Sequence, residues 1–235
     1  MSEHLAVKQI SPQEPRGTGE TLTNRAYAAL EEMIVTLQLK PGEVLSEAGL
    51  TKMLDIGRTP IREALQRLSM EGLVVILPRR GVLVSEINVR SQLELLRVRR
   101  EVERLMARLA AIRANRVERE RFRRLAEDME RCAESNDDIE FMRLDKEFNL
   151  LVARTCRNEY ARRSMGLMQG LARRFWYQHY QEALDLPHCA RLHATLARKI
   201  SDGRSEAAAA ASDELVDYIE DFTRGTLEGD VQARS

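Results

Sequence analysis

The sequence predicts a mainly α-helical protein in two parts: an N-terminal head of three helices closed by a small hairpin, and a C-terminal all-helical bundle. Three observations predict this. Apolar residues recur at three- and four-residue steps over most of the chain, the spacing of one helix face. One short stretch, 73–84, has the apolar run, turn, apolar run texture of a hairpin. Turn-formers are scarce, with 12 Gly and 6 Pro in 235 residues, too few for an all-β chain.

The elements follow in order. Residues 1–20 are polar, with Pro12, Pro15, Gly17 and Gly19, and read as a mobile tail. From Thr21 the positions of Leu22, Ala26, Leu30, Met33, Ile34 and Leu37 define a first helix, which Lys40-Pro41-Gly42 stops. A short second helix fits 47–54, with Leu50, Met53 and Leu54 inward, and Asp55-Ile56-Gly57 turns the chain. A third helix opens at Thr59-Pro60, read as a hydroxyl cap followed by Pro at the first helical position, and Gly72 ends it after Met70. Leu73–Leu77, the turn Pro78–Gly81 and Val82–Val84 complete the hairpin. Over 21–87 this is the order of a winged helix-turn-helix. After Asn88 helical segments are expected at 89–114, 117–135, 138–155, 158–183, 189–202 and 205–227, with Pro187 and Gly203 at breaks. They make a second domain of 88–228, followed by a tail of 229–235.

Composition excludes several classes. No apolar run approaches the roughly 18 residues a membrane span needs, and the N-terminus lacks a charged-then-apolar leader pattern. Cys132, Cys156 and Cys189 are an odd, scattered set without CxxC, expected as reduced thiols in the cytoplasm. The 37 basic and 37 acidic residues cancel, but not locally. Over 51–81 six cations face three anions; over 97–124 eleven arginines face four glutamates; over 202–230 nine anions face two arginines. The first and last helices of the bundle are therefore expected to pack together or to steer a partner subunit. Glu63 with Arg67, and Glu120 with Arg124, stand at ion-pair spacing.

The third helix carries the chemistry. Ile61, Ala64, Leu65 and Leu68 form its apolar stripe, while Arg58, Arg62, Gln66 and Ser69 follow a different face. Arginine suits guanine edges and phosphate alike, and Thr59 offers a hydroxyl and nearby backbone N–H groups at a helix start. Arg79, Arg80 and Gly81 would form the tip of the wing.

These residues also carry a resemblance. The Pro41-Gly42 turn, Leu45-Ser46-Glu47, the run Gly57–Leu65, Glu71–Val74 and the Arg79-Arg80-Gly81 turn resemble the head of GntR-type bacterial transcription regulators. The resemblance implies that Arg58, Thr59, Arg62, Arg80 and Gly81 contact double-stranded operator DNA. Gly57 stands where that family usually has Ser or Thr, and Ala48 where some members place another DNA-contacting Arg.

The helical part resembles the FCD ligand-binding domain of the fatty-acid-regulator branch, through Arg99-x-x-x-Glu103, Asp145-x-x-Phe148, Asn158-Glu159 and His193. That resemblance implies a homodimer on a palindromic operator and a small carboxylate effector. It implies too a divalent metal, zinc or similar, held by an Asp and three His. Asp145 and His193 match two of the four; Asn149 replaces the first His, and Leu215 falls near the last. Two readings stay open here: an incomplete metal site, or a hydrogen-bonded polar pair in a buried pocket. Arg99 is a candidate for clamping a carboxylate or phosphate. Arg173, Arg174, Trp176 and Tyr177 are candidates for lining the same cavity, whereas His179 and His188 are expected on the surface. A metal-dependent enzyme and a protein-binding scaffold are the alternatives. Neither explains the Arg58–Leu65 run with its wing, and the chain carries no HExxH, GxSxG or phosphate-loop motif; the reading is not an enzyme.

Overall fold

The computed structural model describes residues 21–183 and 186–232. The segment 1–20 and residues 233–235, both read as tails, lie outside the described residues. The head contains α1 (Leu22–Val35), β1 (Val44–Leu45), α2 (Glu47–Leu54), α3 (Arg58–Met70), β2 (Val74–Leu77) and β3 (Gly81–Val84). The bundle contains α4 (Val89–Arg113), α5 (Arg116–Ser135), α6 (Asp138–Thr155), α7 (Glu159–Ala183), α8 (Leu186–Ser201) and α9 (Ser205–Gln232).

Side-chain caps start the head's first two helices. Thr21 Oγ1 accepts from Asn24 N at 3.2 Å, and Ser46 Oγ from Gly49 N at 3.0 Å. The third departs from the sequence reading. Its N-cap is Gly57, which has no side chain to offer, and the helix starts at Arg58, ahead of Thr59-Pro60. Leu30, Ile34, Leu50, Ile61, Leu65 and Leu68 are sealed in one core, but Met53 is 55% exposed, contrary to expectation. The hairpin gains a third strand: β1 pairs antiparallel with β3, giving the order β1-β3-β2. A strand of two residues leaves no period-two signal to read. Gly81 has φ +104°, and a Cβ there would lie 2.5 Å from the carbonyl oxygen of Leu45. Only glycine lets β3 leave the wing and reach β1 so closely.

In the bundle α4 packs on α9 and α5 on α8, around Phe122, Leu125, Met129, Leu144 and Ile200. The opposed charges of the first and last helices meet as expected. Arg104 Nε donates to Asp213 at 2.8 Å, Arg108 Nη2 to Glu206 at 2.9 Å, and Arg100 pairs with Asp217 and Glu220. These pairs are partly exposed and individually weak, but a ladder of like sign on each helix selects one pairing. Pro187 stands inside the first turn of α8, where a missing N–H costs nothing, so the helix begins earlier than the proline suggested. Helix α9 runs past residue 228 to Gln232.

Candidate DNA interface and effector cavity

The amphipathic spacing of α3 turns Ile61, Ala64, Leu65 and Leu68 into the head's core. Arg58, Thr59, Arg62 and Gln66 consequently stand exposed on its other side. With Gly57 as cap and Pro60 lacking an N–H, the backbone N–H groups of Arg58 and Thr59 have no helical acceptor. They are suited to an external anion. Arg62 forks onto Glu47 of α2, with Nε to Oε1 at 3.1 Å and Nη2 to Oε2 at 2.8 Å. Sequence reading missed this partner, since nothing in the spacing joins residues of different helices. Arg79 and Arg80 are exposed at the wing tip, with Arg79 itself at φ +62°.

The Glu63–Arg67 pair does not form. Glu63 accepts from Thr23 Oγ1 at 2.7 Å. Arg67 lies 3.5 Å over the Tyr27 ring and donates to Glu71 at 3.3 Å, while Tyr27 Oη donates to Glu71 at 2.7 Å. Glu71 stood four residues beyond Arg67, as visible in sequence as Glu63; Tyr27 was not. Glu120 and Arg124 do pair, at 3.2 Å.

The bundle holds a cavity of about 460 Å³, a size suited to a small ligand. One part of its wall is polar: Arg99, Asp145, Asn149, Arg173 and His193. Phe141, Phe148, Phe175, Trp176, Leu215 and Phe222 supply much of the apolar wall. Tyr27, Glu31 and Arg67 reach it from the head. Tyr177 and Arg174 do not line the cavity. His179 is buried with its ring centroid 4.7 Å from that of Phe175, not on the surface.

The two readings of Asp145 and His193 can be set against the geometry of the polar wall. His193 Nδ1 lies 2.9 Å from the carbonyl oxygen of Cys189, so that nitrogen carries a proton. Nε2 lies 3.1 Å from Asp145 Oδ1, and Asn149 Nδ2 donates to the same oxygen at 2.9 Å. Acceptors on both sides make His193 an imidazolium. Burial opposes its charge, but Cys189 and the hydrogen bond to Asp145 hold its pKa well above the usual range. Burial likewise opposes ionisation of Asp145; His193, with Arg99 and Arg173, outweighs it and keeps that carboxyl below its ordinary range. Both His193 nitrogens are engaged, Asn149 presents its amide nitrogen, and Leu215 has no donor. These residues do not fit a transition-metal centre, and among the described residues no group of three His, Cys, Asp or Glu converges. In the structure Asp145 and His193 are hydrogen-bonded to each other, and the His193 ring is edged by Phe141 and Phe148 at 5.3 and 6.1 Å between centroids.

Arg99 donates to Glu103 at 2.7 Å and is 12% exposed. Arg174, not singled out as a domain link, is 2% exposed. It donates to the carbonyls of Ser85 and Glu86 at 2.8 and 3.2 Å, fastening the interdomain linker to α7. Burial lowers its pKa to about 10, so it is charged at neutral pH. Gly170 lies directly under Leu73, where a Cβ would come within 2.7 Å of the leucine side chain.

A winged three-helix head joined to a helical bundle with a cavity of ligand size, one part of its wall polar, defines a two-domain protein of the sensor and DNA-reader type. Comparison with known proteins agrees. Residues 22–84 match the family described as bacterial regulatory proteins, gntR family, and residues 94–218 match the FCD domain. The chain belongs to the FCD-domain gntR family, a family of regulators rather than enzymes. It is 28% identical over 135 residues to the HTH-type transcriptional regulator YdhC of Bacillus subtilis, covering 57% of this chain and 60% of that one. It is 30% identical over 127 residues to the Nta operon transcriptional regulator of Aminobacter aminovorans, covering 54% and 60%. The chain thus spans at most 60% of the length of the first curated relatives it matches. The structure of Escherichia coli McbR/YncC superposes with a TM-score of 0.74 at 20% identity, over 89% of this chain and all of that one, and shares the fold. Among the described residues no helix is long and apolar enough to cross a membrane, and the three cysteines are buried.

Proposed function

We propose that this protein is a ligand-responsive transcription regulator of the cytoplasm that binds a palindromic operator as a homodimer and takes a small organic carboxylate as effector. One observation carries the DNA reading: α3 buries one face completely and leaves Arg58, Thr59, Arg62 and Gln66 exposed in line on the other. The effector reading is supported by a cavity of ligand size that sets the cations Arg99 and Arg173 in a polar part of its wall beside an apolar part. Fluorescence anisotropy with a duplex from the protein's own promoter region, against a scrambled duplex, tests the first. Specific binding with a steep salt dependence is expected; equal affinity for both duplexes at moderate salt would rule it out.

The homodimer is supported by α4. Val98, Leu105 and Ile112, spaced seven apart, are 55%, 39% and 59% exposed and form an apolar seam along a helix otherwise rich in arginine. A second copy of the same seam is its simplest cover, and the two-fold would set two copies of α3 on two half-sites. Leu105→Glu is expected to give a folded monomer by analytical ultracentrifugation and to weaken duplex binding. A variant that stays dimeric would move the interface elsewhere.

A further inference from the structure

The cavity meets the head at Tyr27, Glu31 and Arg67, and one side chain of its bundle wall ties it to α1. Arg173 lines it, yet donates from Nη1 to Glu31 at 3.0 Å and from Nη2 to Glu32 at 3.1 Å. Both carboxylates belong to α1, the helix on which α3 packs. Arg173 and Glu31 are each 16% exposed, so the pair is shielded from water and salt. A second cation of the cavity wall, Lys146, lies 3.9 Å from Glu32. Glu31 itself lines the cavity.

An organic anion entering here meets a conflict. The guanidinium it needs is forked onto α1, and the Glu31 carboxylate faces it in a poorly solvated space where like charges repel. If α1 withdraws, the anion gains the guanidinium and loses the repulsion. The ligand therefore binds the withdrawn head better than the docked one, the differential affinity that a conformational effect requires. The rest of the link is not contested: Arg174 holds Ser85 and Glu86 from outside the cavity wall, leaving a fixed point about which the head can turn.

Resting on the effector reading above, we infer that Arg173 is an effector-competed latch: an organic anion in the cavity takes its guanidinium from Glu31 and Glu32 and frees the head from the bundle.

Trp176, the chain's single tryptophan, lines the cavity and reports its occupancy by fluorescence. The probes are benzoate and hexanoate, one aromatic and one aliphatic carboxylate, titrated into the full-length wild type, E31Q/E32Q and R173Q, each checked for folding by circular dichroism. The two variants should move in opposite directions. E31Q/E32Q, already unlatched, should bind about 5- to 50-fold tighter, and R173Q about 10-fold or more weaker. Hydrogen exchange in α1 should rise on adding the probe to wild type and be raised already in E31Q/E32Q. E31Q/E32Q binding no tighter than wild type, while wild type binds, would overturn the latch and leave the effector site standing. No response in any of the three proteins up to about 10 mM of either probe would overturn both.

Discussion

Arg58→Ala and Arg62→Ala are each expected to weaken operator binding by about 5- to 150-fold while leaving the fold and the dimer unchanged. Both side chains are exposed and outside the head's core, so circular dichroism and thermal melting should match wild type. The two should differ in kind. Arg58 sits at the first position of α3 beside unbonded backbone N–H groups, the place of a phosphate contact. Its loss should weaken all duplexes alike and flatten the salt dependence. Arg62 stands one turn further in, held by two hydrogen bonds to Glu47, which fix the plane of its guanidinium before DNA arrives. Its loss should relax sequence preference, as expected of a base-edge contact. Anisotropy titrations on operator and scrambled duplexes at two salt concentrations separate these outcomes. Unchanged affinity in both variants would take α3 out of the interface.

The head was legible because its signals are local. The stripe of Ile61, Leu65 and Leu68, the Gly72 stop and the Arg79–Gly81 turn each declare an element within a few residues. One misreading there lies at an end, where the helix start moved from Thr59 to Arg58 because a glycine cap leaves no side-chain signature; others, the outward Met53 and the unformed Glu63–Arg67 pair, turn on which neighbours a side chain meets. The α4–α9 pairing was legible in part, since the arginine-rich 97–124 and the acidic 202–230 were expected either to pack together or to steer a partner subunit, and charge alone does not choose between them. The cavity was legible only in part. Asp145 and His193 were found, but their partners Cys189 and Asn149 decide what the pair is, and hydrogen-bond direction is not written in spacing. Least visible was the join between domains. Glu31 and Arg173 are 142 positions apart, and Arg174, read as a residue of the cavity wall, lies under the linker instead.

Asp145→Leu should cost about 2–4 kcal/mol of stability near pH 6, because it strands a buried cation. The pH dependence carries the stronger test. In wild type the pKa of His193 is raised on folding, so its contribution is complete below the unfolded value near 6.5 and fades only as pH climbs through the raised folded value. The carboxyl of Asp145 is depressed, so its contribution is complete above about 4 and is lost as acid takes the pH down through the folded value. The two overlap in a plateau across mildly acid to neutral pH. Without Asp145 the imidazolium keeps its Cys189 partner but loses its counter-charge, so burial weighs more against it and the folded pKa of His193 falls. The variant then loses less stability than wild type as pH rises. The gap in melting temperature between wild type and Asp145→Leu should therefore be widest near pH 5 and narrow steadily towards pH 8. A gap independent of pH would show that Asp145 contributes packing and not charge, and would leave the cavity's polar wall without the ion pair that shapes it.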